Sequence, residues 1–125
     1  MAEMYGFIYK ATNLATGRWY VGKKAYSHKI KVKVGKKERK RTGKRVKYII
    51  KDSGYKEYLG SSEELKKDIE KLGRVNFRRE ILRECPDRIS LSYWEQCYLF
   101  TLGAIFENSY NSNLGGHFYR GKVSQ

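Results

Sequence analysis

Two runs of aromatic and β-branched residues, split by a turn, open the chain. Tyr5-Gly6-Phe7-Ile8-Tyr9-Lys10-Ala11-Thr12 is rich in β-branched and aromatic residues and predicts a strand. Asn13-Leu14-Ala15-Thr16-Gly17 supplies turn chemistry, and Arg18-Trp19-Tyr20-Val21-Gly22 predicts the strand that returns. Further on, His28 to Val34 alternates strictly between polar or basic and apolar residues, the period of a half-buried strand. Gly35 to Lys44 predicts a highly charged connection. Arg45-Val46-Lys47-Tyr48-Ile49-Ile50 then resumes the alternation and loses it at Ile49. The two runs predict a two-stranded ribbon. Ile30, Val32, Val34, Val46 and Tyr48 would share one face, and Lys29, Lys31, Lys33, Arg45 and Lys47 the other.

The second half changes period. Ser61-Ser62-Glu63-Glu64 has the capping-box pattern of a helix start, read from Ser61 to Glu64. Leu65, Ile69 and Leu72 follow at helical spacing, and Gly73 is placed to close the helix. Val75 to Leu82 predicts another strand, and Pro86-Asp87 breaks it. A second helix is predicted from about Ser90 to Leu102, with Leu91, Trp94, Tyr98 and Leu102 along one face. The tail from Tyr110 to Gly116 is turn-rich. Strand, strand, basic insertion, helix, strand and helix make a small α+β fold, one domain over residues 1–125 with the insertion at about 23–53.

Charge sharpens the picture through its placement. The net charge is +14, from 27 lysines and arginines against 13 acids. The stretch from Lys23 to Lys51 holds one acid, Glu38, and carries +13 of that total. Charge concentrated in this way predicts a polyanion-binding surface, and nucleic acid is the commonest such partner. Lysines predominate, and lysine is mostly a phosphate-directed point charge. Lys29, Lys31, Lys33, Arg39, Arg41, Arg45 and Lys47 are the candidate contacts, with duplex DNA as the partner. The alternative for this stretch is a solvated charged face.

Cys85, Cys97, His28 and His117 stand apart from one another, so a zinc site or a disulfide framework is not expected. Any metal would rest on carboxylate and water oxygens, which favours magnesium or manganese. No apolar stretch is long enough to cross a bilayer, and no secretory signal opens the sequence. The expected setting is the cytoplasm, that of the host cell if the chain is phage-encoded.

Phe7-Ile8-Tyr9, ten residues, then Tyr20-Val21-Gly22 resembles the paired signature of the GIY-YIG nucleases. Phe7 stands where the first motif has glycine, and Val21 replaces isoleucine. Asn13 fits the family pattern. Tyr58-Leu59-Gly60-Ser61-Ser62 and Gly73-Arg74-Val75-Asn76-Phe77 resemble the helix-and-strand block of phage-encoded members, while Glu95 and Asn111 resemble the metal-binding glutamate and the C-terminal asparagine. The resemblance covers nearly everything outside the basic insertion. It implies hydrolysis of DNA phosphodiesters to 5′-phosphate and 3′-hydroxyl ends, with one Mg²⁺ or Mn²⁺ per active site held by Glu95. Tyr9 would act as the base, provided nearby positive charge lowers its pKa, with Tyr20 aligning water and phosphate. The family's cation after the second motif would be Lys24, or Arg41 or Arg45 folded back, and Tyr58 and Asn111 would complete the site. A homodimer would serve double-strand cleavage.

Plainer readings stand beside these. The tyrosine pair could be strand packing, Glu95 could close a capping box with Ser92, and Asn111 could be a turn residue. A non-catalytic, ribosomal-protein-like binding module and a nuclease acting on RNA are the alternative functions.

Overall fold

A computed structural model of the chain describes residues 3–125. The predicted hairpin is present as β1 (Gly6–Asn13) and β2 (Trp19–Ala25), paired antiparallel with Tyr9 opposite Gly22 and Ala11 opposite Tyr20. The third strand, β5 (Phe77–Cys85), lies along the other side of β1, so the sheet order is β2-β1-β5. Between β2 and β5 come β3 (Ser27–Lys33), α1 (Lys36–Thr42), β4 (Val46–Asp52) and α2 (Glu63–Leu72). After β5 come α3 (Arg88–Thr101) and two short paired strands, β6 (Asn113–Leu114) and β7 (Phe118–Tyr119).

As the central strand, β1 is covered on both faces, which is why Phe7, Ile8, Tyr9 and Ala11 are all buried. Ile8 faces α3 and packs with Val21, Cys85, Leu91 and Leu99. Phe7, Tyr9 and Ala11 face α2 and pack with Leu59, Leu65, Phe77 and Tyr110. Phe7, which stands where the motif it resembles has glycine, is fully buried and its ring fills this second core. It lies 5.1 Å from the Tyr26 ring and 6.1 Å from that of Tyr55, with the Arg79 guanidinium over its face. Opposite Ile8 and Tyr9 the β5 register skips Leu82, a β-bulge in the edge strand.

Both helix starts differ from expectation. The cap of α2 is Ser62, not Ser61; its hydroxyl accepts the Leu65 N–H, and Ser61 is left free. Asp87 caps α3 by accepting the Ser90 N–H at 2.7 Å, so the helix begins at Arg88 and Ser92 lies inside it. The capping-box reading of Glu95 is thereby removed: Ser92 ends no helix, and Glu95 caps nothing.

The basic insertion is a ribbon, with β3 and β4 antiparallel, yet it departs from the predicted layout in two ways. The Gly35–Lys44 connection contains α1, closed by Gly43 in the left-handed conformation. The register sets Lys29 opposite Ile50, Lys31 opposite Tyr48, Lys33 opposite Val46 and Val32 opposite Lys47. Directly paired residues share a face, so the predicted split into an apolar face and a basic face does not form. The physical reason is repulsion. A segregated ribbon would set the β3 lysines against Arg45 and Lys47, and like charges directly opposite are destabilising. The ribbon leaves the sheet at Tyr26 and returns at Ser53, whose N–H donates to the Tyr26 carbonyl at 3.1 Å. Beyond that junction β4 is almost wholly exposed.

Core and insertion should therefore differ in what they contribute to stability. Leu65→Ala, which empties a fully buried site, is expected to cost about 2–5 kcal/mol. Ile50→Ala, at an exposed ribbon position, should stay within about 0.5 kcal/mol. Urea denaturation followed by circular dichroism distinguishes them, and comparable losses would mean that the ribbon belongs to the core.

Candidate active site

The site forms around the outer edge of β2. Strand alternation sends Tyr20, Gly22 and Lys24 toward α2, and Val21 and Lys23 toward α3. Tyr20 lies beneath the N-terminus of α2, where its hydroxyl shares a 2.9 Å hydrogen bond with the Ser61 hydroxyl freed by the cap at Ser62. Behind it is Tyr9, fully buried, with ring centroids 6.2 Å apart. The Tyr58 ring meets Tyr9 edge-on at 6.0 Å, and the Lys24 ammonium lies 4.2 Å above the Tyr58 ring. Two glycines make this packing fit. A Cβ on Gly22 would fall 2.6 Å from the Tyr9 hydroxyl and 2.8 Å from the Tyr20 ring, and one on Gly60 would also fall 2.8 Å from the Tyr20 ring.

On the opposite side of the edge, α3 brings up Glu95. Its carboxylate is four-fifths buried and lies 3.9 Å from the Lys23 ammonium, which also donates to Ser92 Oγ at 2.9 Å. Asn111 closes the edge between them. Its Oδ1 accepts the Val21 N–H at 3.0 Å and its Nδ2 donates to the Val21 carbonyl at 2.9 Å. The turn reading of Asn111 is thus replaced by a buried amide pairing with strand backbone. Tyr20, Glu95, Asn111, Ser61 and Arg18 all line one open pocket.

Burial dominates the electrostatics. It holds Glu95 above the ordinary carboxylate range, with the Lys23 ammonium and N–H pulling the other way. Burial likewise pushes Tyr9 far above the usual phenol range, reinforced by Tyr20, Tyr58 and Glu95, while Arg79 pulls it down. Tyr20 is raised too, again first by burial, with the Ser61 hydrogen bond opposing. The expectation that nearby charge lowers the Tyr9 pKa fails in the free protein. Its surroundings are aromatic, and Lys24 lies over Tyr58 instead.

The other expected residues are dispersed. Arg41 lines a surface with Lys37 and Glu38 on α1, away from the pocket. The Arg45 carbonyl accepts the Val34 N–H at the end of the ribbon. Lys29, Lys31 and Lys33 lie on β3, Arg39 on α1 and Lys47 on β4. Sequence reasoning missed Lys23, Ser61 and Arg18. Lys23 was findable, because alternation along β2 puts it on the α3 side with Val21. Arg18 stacks 4.2 Å over Tyr110 and pairs with Glu64, contacts that no local pattern announces.

Residues 1–122 match the family model described as "Putative endonuclease segE, GIY-YIG domain". The chain belongs to the GIY-YIG endonuclease family. Comparisons with curated proteins and with solved structures returned no match.

GIY-YIG nucleases generally use divalent metal ions, and the pocket can be tested for one. Among the described residues no cluster of three or more acidic, histidine or cysteine side chains forms. Glu95 instead offers one oxygen ligand in an open pocket, and its burial leaves its charge undercompensated. That fits a hard cation such as Mg²⁺, which keeps several waters and binds through one or two carboxylates plus substrate phosphates.

An undercompensated carboxylate lowers the stability of the free protein. Because the folded pKa of Glu95 lies above its unfolded value, wild type in EDTA loses stability as pH rises through the carboxylate range and stays lower above it. Glu95→Gln removes that term. The variant should melt above wild type at neutral pH, with the gap closing below about pH 4. Thermal melts across this range check it, and a variant that melts lower at neutral pH would show that the charge stabilises the fold.

Proposed function

We propose that this GIY-YIG endonuclease hydrolyses phosphodiesters of duplex DNA with the help of one divalent ion, Mg²⁺ or Mn²⁺, leaving 5′-phosphate and 3′-hydroxyl ends. The observation that carries the reading is the meeting of Tyr20, backed by Tyr9, with Glu95 around one strand edge. An anionic diester must accept a further electron pair from water, so the site must hold the water in line and offset the developing charge. Glu95 would hold the ion, which when bound supplies Lewis acidity to the phosphate and the departing oxygen.

The chain's own groups do the remainder. The phenols keep their protons at neutral pH in the free protein, which suits them to donate hydrogen bonds. Tyr20, in the pocket wall, is placed to donate to a non-bridging phosphate oxygen or to the attacking water, with Ser61 fixing its orientation. Tyr9 supports Tyr20 from behind and fixes the spacing between the ring and Gly22. Arg18 and Arg120 line the pocket beside the carboxylates of Glu63, Glu64 and Glu95, and their guanidinium groups would offset charge that develops on the dianionic transition state. Water adds at phosphorus, the bond to the 3′-oxygen breaks, and that oxygen leaves as the hydroxyl. One such pocket cuts one strand per encounter; a double-strand break takes two visits or a homodimer.

Cleavage of an end-labelled duplex tests this. Glu95→Gln is expected to abolish cleavage in saturating Mg²⁺ while keeping DNA affinity. Tyr20→Phe removes one positioned donor and is expected to cost about a hundred- to a thousandfold in rate, with Tyr9→Phe falling in the same direction. An RNA duplex of the same sequence should survive. Near-normal rates in Glu95→Gln, or preferential cutting of the RNA, would overturn the reading.

A further inference from the structure

The two faces of the basic ribbon are not equivalent. The register places Lys29, Lys31 and Lys33 on one face, directly beside Ile50, Tyr48 and Val46. The other face carries Val32, Lys47, Ile49, His28 and Lys51. One ion pair ties that second face to α1: Glu38 pairs with Lys47 at 3.0 Å, which offsets one of its charges. The first face carries one acid, Asp52 opposite Ser27 at its base, and among the described residues no ion pair joins it to the three lysines. Two of its three apolar residues also stand further out, Tyr48 at 65% and Ile50 at 75% exposure against 44% for Ile49, while Val46 is half-buried. Large apolar side chains at such exposure, set in register with lysines, make an unusual surface for a solvated arm.

We propose that the face bearing Lys29, Lys31 and Lys33 is the one the ribbon lays into a groove of duplex DNA. The lysines would engage phosphates, and Tyr48, Ile50 and Val46 would contact sugars and base edges. This rests on the reading of DNA as substrate and adds the binding face and a second kind of contact. Charge selects the occupant. A second copy of this chain would bring another +13 stretch against the first, whereas a polyanion is attracted. Shape agrees with charge: lysines at alternate strand positions repeat about every 6.8 Å, and a two-stranded ribbon fits the major groove. Thymine methyl groups and sugar edges give the apolar row something to cover there.

The two rows act through different physics, so they can be separated. Phosphate contacts release counterions and steepen the salt dependence by about 0.9 per contact. Apolar contacts contribute affinity that salt barely alters. Binding of one synthetic duplex, measured in EDTA between about 50 and 200 mM salt, is compared across three variants. Lys29→Gln/Lys31→Gln/Lys33→Gln is expected to flatten the slope by up to about 2.7. Tyr48→Thr/Ile50→Thr, which keeps strand-favouring residues, should weaken binding about tenfold at every salt concentration and run parallel to wild type. Lys47→Gln/Lys51→Gln, on the face that the ion pair ties to α1, should change the slope least. Circular dichroism and recovery of cleavage at saturating enzyme show that each variant is folded.

If wild type binds and cuts DNA but the tyrosine–isoleucine variant binds as well as wild type, this proposal fails and the nuclease reading stands. The same holds if the Lys47/Lys51 variant flattens the slope as much as the β3 triple. Tighter binding to vesicles of anionic lipid than to the duplex would assign the face to a membrane and overturn it. Failure of wild type to bind DNA would overturn both readings together.

Discussion

β2 is an edge strand, and its outward N–H and C=O groups must find partners or water. In this chain each outward position is met differently. Trp19 pairs with main chain: its N–H donates to the Asn108 carbonyl at 3.3 Å, and its carbonyl accepts the Tyr110 N–H at 2.6 Å. Val21 pairs with the side-chain amide of Asn111, a two-point imitation of the next peptide. At Lys23 the side chain turns to Glu95, with the ammonium 3.9 Å from the carboxylate. The site therefore comes from closing an edge. Each closing group draws a distant segment to the strand that carries Tyr20, and the last of them is the largely buried carboxylate of Glu95.

The closure is itself held from behind. Arg120 donates to the Asn111 carbonyl at 3.2 Å, the Glu107 carbonyl at 2.9 Å and Ser109 Oγ at 2.7 Å, so one guanidinium gathers the segment that pairs with β2. Tyr110 donates to Asp68 on α2 at 2.5 Å and accepts from Asn13 in the hairpin turn at 3.1 Å. Through that phenol the hairpin turn, α2 and the C-terminal segment share one hydrogen-bonded junction. Flexible as loops usually are, this one is fixed at both ends.

Much of this was legible where the physics is local. Aromatic and β-branched enrichment marked β1 and β2, and Leu65, Ile69 and Leu72 marked α2, because each pattern lies within one element. The four-motif resemblance brought Tyr9, Tyr20 and Glu95 forward, and the fold sets them round one edge. What could not be read came from distant pairing. The resemblance named Asn111, but a turn residue was an equal local reading, because its partner, Val21, lies 90 positions away. The helix cap passed from Ser61 to Ser62, and only the fold shows that the freed hydroxyl meets Tyr20. The ribbon's strands were visible, but register depends on cross-strand repulsion and on α1, which a run of charged residues between two glycines did not announce.

Hydrogen exchange at the Val21 amide tests the central claim most directly, because that proton is held only by the Asn111 side chain. If edge closure builds the site, Val21 in wild type exchanges slowly, at a rate set by opening rather than by solvent. In Asn111→Ala it becomes fast, and cleavage activity falls with it, while amides of the central strand β1 keep their protection. Rapid exchange at Val21 in wild type, or full activity in Asn111→Ala with Val21 exposed, would contradict the account.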